Sequence, residues 1–312
     1  MKVLFMGTPI FAVESLRLLT ENHDVVAVIT QPDKQKGRGK KVQFTPIKEV
    51  AISKNIPVYQ PNNVNQKNSL AELKKLEFDI CIVVAYGQIV SEAILNMPKH
   101  GCINVHGSLL PKYRGASPIH SAILNGDKKT GVTIMYMEKG LDTGDMILKE
   151  EVEICDDDTT SSLHDKLSVV GASALIKALE QIDNGTAKRE KQNNAESTYS
   201  SKITKDMAEI DWNKTSTEII NLIRGLNSWP CAFSILDGTG IKIWNARKVD
   251  GYNKGESGQI IDIIKNKGIV VKTGDGCILI DEIQLPSSKK MLVTDYLRGN
   301  KIEIGSIFKS VG

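Results

Sequence analysis

Six apolar runs separated by stretches of helical spacing occupy the first half of the chain, and this alternation restricts the fold more than any other feature. Val3-Leu4-Phe5-Met6 ends at Gly7, and Phe11, Leu16 and Leu19 follow at intervals that suit one face of a helix. Val25 to Ile29 is rich in β-branched residues, Pro57 to Tyr59 is a short third run, and Ile80 to Ala85 is continuous enough to be buried on both faces. Cys102 to Val105 and Val132 to Met137 complete the series, with helical stretches near 45–55, 66–76, 91–96 and 117–125. Such an alternation predicts a Rossmann-like, mostly parallel sheet with helices on both faces. Ligands in that architecture bind beyond the carboxyl ends of the strands, which places the segments after Ala85 and Val105 in the expected site.

The second half changes character. Residues 159 to 183 carry one long helical pattern, with Leu163, Leu167, Val170, Ala174, Leu175, Ala178 and Leu179 near one face. A polar, weakly patterned stretch follows, and then a short helix from Glu218 to Leu226. Five short β-rich runs come last: Ala232 to Leu236, Ile241 to Trp244, Gln259 to Ile264, Ile269 to Lys272 and Cys277 to Ile283. Glycine turns between them fit a small OB-like β-barrel. The expected division is an α/β domain over 1–186, a linker over 187–207 and the β-barrel domain over 208–312.

Composition narrows the function classes. At 312 residues, with 41% hydrophobic and 25% charged side chains, the chain has the make-up of a globular protein. Net charge is only +3 and aromatics are 5%, so neither a basic arm nor a base-stacking platform stands out. Cys81, Cys102, Cys155, Cys231 and Cys277 are scattered without a C-x-x-C pair, which argues against a zinc site. The first apolar run is broken by Gly7-Thr8-Pro9 and fits neither a signal peptide nor a membrane span, so a cytoplasmic location is expected.

Two nucleotide-binding motifs can be tested directly. A dinucleotide fingerprint requires G-x-G-x-x-G after the first strand, but Gly7-Thr8-Pro9-Ile10-Phe11-Ala12 holds one glycine. A P-loop requires G-x-x-x-x-G-K-[ST], but Gly39-Lys40 is followed by Lys41, and Lys34 stands at the first glycine position. The sheet is Rossmann-like without the phosphate cradle.

The informative stretch is N-V-H-G-S-L-L-P-K-Y-R-G-A-S-P, from Asn104 to Pro118. Asn104 and His106 are two apart at a strand end, so both side chains share one face. An amide donor beside an imidazole can hold a developing oxyanion and move a proton in one place. Farther on, Gly140-Leu141-Asp142-Thr143-Gly144-Asp145 suits a tight loop that could present Asp142 to the same pocket, where a carboxylate would fix the tautomer of His106. Each element alone has a plainer reading. An N-x-H pair is common in loops and cores, a glycine-flanked Asp is usual in turns, and Tyr113-Arg114 suits a solvated loop.

Together and in this order, N-V-H-G-S-L-L-P-K-Y-R-G-A-S-P-I and G-L-D-T-G-D resemble the folate-dependent formyltransferases. The resemblance implies 10-formyltetrahydrofolate as donor, a catalytic set of Asn104, His106 and Asp142, and no metal. It further implies that Ser108, Leu109, Leu110 and Pro111 line the folate site, and that the segment carrying Gln88, Ile89 and Val90 walls the pterin. On this reading 1–186 is the formyltransferase catalytic domain.

The acceptor must be read elsewhere. Gln31-Pro32-Asp33-Lys34-Gln35-Lys36-Gly37-Arg38-Gly39-Lys40-Lys41 concentrates basic residues in one loop, which by composition also suits a solvated charged face. Q-P-D followed by G-R-G-K-K resembles the tRNA-facing insertion of the family members that act on methionyl-tRNA. This implies tRNA contacts from Lys36, Arg38, Lys40 and Lys41. Ala208-Glu209-Ile210-Asp211-Trp212, Asn227-Ser228-Trp229-Pro230 and the barrel pattern resemble the C-terminal domain of the same members. The expected partners are therefore initiator methionyl-tRNA and folate, with no membrane, and the expected oligomeric state is a monomer. A sugar-nucleotide N-formyltransferase and a catalytically silent tRNA-binding module are the alternatives.

Overall fold

The computed structural model describes residues 1–36, 41–252 and 254–309, without the side chains of residues 35, 36 and 41. The chain folds as two compact units. The first comprises 1–118, 129–153 and 164–200; the second comprises 119–128, 154–163 and 201–312.

The first unit contains β1 (Lys2–Gly7), α1 (Val13–Asn22), β2 (Asp24–Ile29), a hairpin of β3 (Lys34–Lys36) and β4 (Lys41–Gln43), and α2 (Pro46–Ser53). It continues with β5 (Val58–Tyr59), α3 (Lys67–Leu73), β6 (Ile80–Val84), α4 (Glu92–Leu95), β7 (Cys102–His106) and a two-residue β8 (Arg114–Gly115). After β9 (Lys129–Tyr136), β10 (Met146–Glu153) and most of a long helix, it closes with β11 (Tyr199–Ser200). Seven strands form one sheet in the order β10-β9-β7-β6-β1-β2-β5. The five strands from β7 to β5 are parallel, as the strand–helix alternation predicts, and β6 is buried along its whole length.

The other two strands depart from a purely parallel sheet. β9 runs antiparallel to β7, and β10 antiparallel to β9. The link from β9 to β10 is too short for a parallel crossover, which leaves a hairpin as the available connection. β10 opens on a short apolar run, Met146-Ile147-Leu148, and then turns charged: Lys149, Glu150, Glu151 and Glu153 line a sheet edge, where charge discourages pairing with a second chain. The strand order of the first unit reverses direction at β1, whose neighbours β2 and β6 lie on opposite sides. Loops at the carboxyl ends of these strands are tied together. Thr8 Oγ1 donates to the Tyr86 carbonyl at 2.9 Å, and Gln31 Nε2 donates to the same oxygen at 3.2 Å. This is the crevice position where open α/β sheets hold ligands.

The second unit includes α5 (Pro118–Leu124) from Ile119 on and the start of α6 (Thr160–Asp183), followed by α7 (Ser216–Gly225). Thr215 and Glu218 form a reciprocal capping box that starts α7. β12 (Phe233–Leu236), β13 (Thr239–Val249), β14 (Ile260–Ile264), β15 (Gly268–Lys272), β16 (Cys277–Gln284) and β17 (Met291–Leu292) make an antiparallel sheet. Its order is β12-β13-β16-β15-β14, with β17 on β16. Trp212 and Phe308 stack in its core at 5.3 Å between ring centroids, and Trp212 Nε1 donates to Ser234 Oγ at 2.9 Å. Residues 305–309 bond to both outer strands. Lys309 exchanges hydrogen bonds with Ile235 at 2.8 and 3.1 Å, while Ser306 O and Gly305 N meet Ile260 at 2.8 Å each.

Helical segments from earlier in the chain are integral to this unit. Thr160 Oγ1 donates to the Gly225 carbonyl at 2.6 Å, and the buried Arg224 donates to the Cys155 carbonyl at 3.1 Å. Among the described residues, no helix is long and apolar enough to cross a membrane.

Candidate active site

β7 ends in Asn104-Val105-His106 between a parallel neighbour, β6, and an antiparallel one, β9. Asn104 pairs in register with Val83 and Met135, and His106 with Thr133. Alternation along the strand puts Asn104 and His106 on one face. The Asn104 carboxamide is half-buried and makes no hydrogen bond within the described residues, so its donors are free for a ligand.

The surroundings of His106 settle its tautomer. Its Nε2 lies 2.9 Å from the Tyr113 carbonyl, which can only accept, so Nε2 carries a proton. Its Nδ1 faces Asp142 Oδ2 at 3.7 Å, a distance for ion pairing with a charged imidazole rather than a direct hydrogen bond. Sequence reasoning gave Asp142 the task of fixing the tautomer. The structure gives that task to a backbone carbonyl and leaves Nδ1 as the nitrogen where proton transfer is open.

Asp142 is held by backbone as well. Its Oδ2 accepts from Gly115 N at 2.7 Å, and the residue has a φ of 52°. The β9–β10 connection therefore turns through a left-handed residue that a non-glycine side chain adopts only with support. Gly115 has a φ of 113°, and a Cβ there would stand 2.6 Å from the Ser200 carbonyl. Any side chain at this position would push β8 off β11 and with it the donor to Asp142.

Tyr113 and Arg114, which suit a solvated loop on sequence grounds, are instead buried, and Arg114 is only 2% exposed. A buried guanidinium needs acceptors. Gln192 Oε1 accepts from Arg114 Nε at 2.9 Å and Nη2 at 2.8 Å, and Asn194 Oδ1 accepts from Nη2 at 2.8 Å. Gln192 and Asn194 were missed because the polar stretch around them offers no periodic pattern. A buried arginine is also invisible in a sequence without its partners.

The remaining expected site residues divide by where their side chains go. Ser108 is fully buried and donates to the Lys112 carbonyl at 2.6 Å, while Leu110 packs with Met135 and Met146. Thr133 Oγ1 links the backbone at both, donating to Ser108 O at 2.7 Å and accepting from Leu110 N at 3.0 Å. Gln88 is engaged too: its Oε1 accepts from Val64 N at 2.9 Å and its Nε2 donates to the Pro61 carbonyl at 3.2 Å. Val90 is buried, Leu109 and Pro111 are half-buried, and Ile89 is 87% exposed.

Of the expected tRNA contacts, Arg38 and Lys40 lie outside the described residues, and only the backbone of Lys36 and Lys41 is described. These two end the paired strands of the β3–β4 hairpin, where Lys36 pairs with Lys41. At the foot of the hairpin, Asp33 is paired with Lys48 and accepts from Gln60 Nε2 at 2.8 Å. The Lys48 bond chiefly holds the Asp33 carboxyl below its ordinary pKa, with Gln60 adding to the effect against desolvation. Among the described residues, no group of three or more His, Cys, Asp or Glu side chains is arranged to hold a metal ion.

Known proteins match this chain over nearly its whole length. The family model described as "Formyl transferase" covers residues 1–179, and "Formyl transferase, C-terminal domain" covers residues 202–301. The chain belongs to the formyl transferase family. Among its curated relatives are the methionyl-tRNA formyltransferases of Alkaliphilus oremlandii, 51% identical over 98% of this chain and 99% of that one, and of Clostridioides difficile, 49% identical with the same coverage. Of solved structures, the N-formyltransferase from Helicobacter canadensis in complex with folinic acid and dTDP-3-aminofucose is similar at 28% identity and a TM-score of 0.68, covering 90% of this chain and 98% of that one. HypX from Aquifex aeolicus in complex with tetrahydrofolic acid shares the fold at 17% identity and a TM-score of 0.62, over 97% of this chain and 50% of that one.

Proposed function

We propose that this protein transfers the formyl group of 10-formyltetrahydrofolate to the amino group of methionyl initiator tRNA, giving the formylated tRNA used to start translation. The near-full-length identity to methionyl-tRNA formyltransferases carries the reading. The grouping of Asn104, His106 and Asp142 at one strand end supports it chemically.

In the transfer, the amino nitrogen forms a bond to the formyl carbon, the bond from that carbon to the folate nitrogen breaks, and one proton passes from the amine to the departing nitrogen. The free Asn104 amide donates to the oxyanion of the tetrahedral intermediate, an interaction whose loss costs about 3 kcal/mol of barrier. With Nε2 committed to Tyr113, His106 acts at Nδ1. Asp142 stabilises the charged imidazole from 3.7 Å and helps carry the proton. Folate contacts fall to the open side chains of Ile89, Leu109 and Pro111, with Val90 behind them. Gln88, Ser108 and Leu110 shape the wall through the backbone that their buried or bonded side chains hold.

For the acceptor, Lys36, Arg38, Lys40 and Lys41 of the basic segment 31–41 supply phosphate contacts. We read the antiparallel sheet of the second unit as an OB-like barrel that grips the acceptor arm. The bonds from residues 305–309 to both outer strands support this reading. The protein works as a cytoplasmic monomer. A sugar-nucleotide acceptor is the competing reading, favoured by the similarity to the Helicobacter canadensis protein. A formyl-transfer assay with methionyl-tRNA, other aminoacyl-tRNAs and amino-sugar nucleotides separates them. Transfer to a sugar nucleotide without transfer to methionyl-tRNA overturns the acceptor assignment.

A further inference from the structure

We propose that Gln192 is a positioning residue for formyl transfer, one whose carboxamide fixes the Asp142 loop at its distance from His106; this rests on the formyl-transfer reading above. Gln192 Nε2 donates to the Asp142 carbonyl and to the Gly144 carbonyl, each at 2.8 Å. Its Oε1 accepts twice from Arg114, at 2.9 Å and 2.8 Å. Both donors and both acceptor sites of the amide are therefore used. Among side chains of this length, an amide alone suits the position. A carboxylate would turn lone pairs toward two carbonyls, and an ammonium would face a guanidinium.

What Gln192 joins explains its effect. Arg114 lies between the two residues whose backbone reaches the candidate catalytic side chains. Tyr113 O holds His106 Nε2 at 2.9 Å, and Gly115 N holds Asp142 Oδ2 at 2.7 Å. Gln192 connects the Arg114 side chain to the backbone of the Asp142 loop, closing a ring of contacts around the His106–Asp142 gap. Asp142 needs such support because its φ of 52° is strained for a non-glycine residue. Gln192 also occupies a chain segment that is itself fixed. Glu190 exchanges backbone hydrogen bonds with Met146 at 2.8 and 3.0 Å, and Thr198 O accepts from Arg114 N at 2.8 Å.

The test compares Q192E and Q192M with the unaltered protein. Q192E keeps one oxygen accepting from the buried guanidinium, now as an ion pair, and replaces both donors to the loop with an oxygen that repels the two carbonyls. Q192M keeps the approximate shape and loses every bond. Both variants are expected to lower kcat by about tenfold to a hundredfold, the range that a misplacement near 1 Å produces. KM for methionyl-tRNA and for the folate should stay within about threefold, because the lost contacts are not substrate contacts. A thermal melt should show Q192E still folded at the assay temperature, and the ¹⁵N chemical shifts of the His106 ring should move in both variants. A Q192E protein with kcat within about twofold of normal, or with its defect confined to KM, overturns the proposal. An unaltered protein that fails to formylate methionyl-tRNA instead overturns the functional reading. Gln192 is then judged by the His106 ring shifts alone, and unmoved shifts count against it.

Discussion

His106 Nε2 and the Tyr113 carbonyl stand 2.9 Å apart, and this contact decides which face of the imidazole does chemistry. Because a carbonyl accepts and never donates, the imidazole keeps its Nε2 proton and turns Nδ1 toward Asp142. Replacing His106 with alanine removes that proton carrier from a strand whose register is set by its backbone. H106A should fold and bind folate but lose transfer essentially completely. Single-turnover formylation beside a thermal melt checks this, and substantial retained transfer refutes the role of His106.

Asp142 offers a cleaner separation of charge from geometry. D142N keeps an oxygen to accept from Gly115 N but loses the charge that faces Nδ1. The variant should retain its folded structure and KM while kcat drops by about a hundredfold or more, in line with removal of a pre-organised charge at a reacting centre. A kcat near normal would mean that the Asp142 charge is idle.

Gly115→Ala tests the backbone support. At φ 113°, a Cβ set 2.6 Å from Ser200 O forces β8 and β11 apart. The expected cost is about 1–3 kcal/mol of stability. Denaturant unfolding reads the stability loss, and transfer should fall along with it because the donor to Asp142 moves. Alanine tolerated without change in either quantity rules out the constraint.

The foot of the β3–β4 hairpin carries a pH signature. The Asp33 carboxyl has its pKa lowered in the folded state, first through the Lys48 bond. Its stabilising contribution is thus present above the unfolded carboxyl pKa, near about 4, and is lost as pH falls through the folded value. D33N should be less stable than the unaltered protein at neutral pH, with the difference shrinking as the medium is acidified below that range. A difference that stays constant down to strongly acid pH contradicts the pairing. In the same region, Arg38→Ala should weaken use of methionyl-tRNA in a salt-dependent way and leave folate kinetics alone.

The second unit makes a prediction about fragments. Arg224 and the Gly225 carbonyl find partners on residues 155 and 160, far earlier in the chain. A fragment beginning at Ser201 loses these hydrogen bonds, each worth about 0.5–1.5 kcal/mol net once water replaces the missing partner, together with the packing of residues 154–163. It should unfold at a clearly lower temperature than a fragment beginning at Ile154. Equal melting temperatures would show those contacts to be dispensable.

Much of this architecture is legible in the residues themselves, and the exceptions have physical causes. β6 announces itself because a strand buried on both faces must be apolar throughout, and Asn104 and His106 share a face because strands alternate. β10 is missed since its apolar run, Met146 to Leu148, is only three residues long and gives way to charged residues along a sheet edge. The β3–β4 hairpin hides within a lysine-rich loop for a similar reason. Gln192 and the buried Arg114 lie beyond pattern reading altogether. Their meaning comes from partners far apart in sequence, and a polar stretch looks the same whether it faces water or a guanidinium.

The tie between residues 305–309 and the two outer strands of the second unit bears on how the chain is made. A ribosome releases residues in order, so Ile235 and Ile260 emerge well before Lys309 and Ser306 reach them. Until then, both outer strands present unpaired backbone groups of the kind that recruit other nascent chains. Emergence of residues 305–309 is therefore a maturation step for this half of the molecule. Polysomes translating this message would carry their greatest risk of aggregation while residues 305–309 are still inside the ribosome.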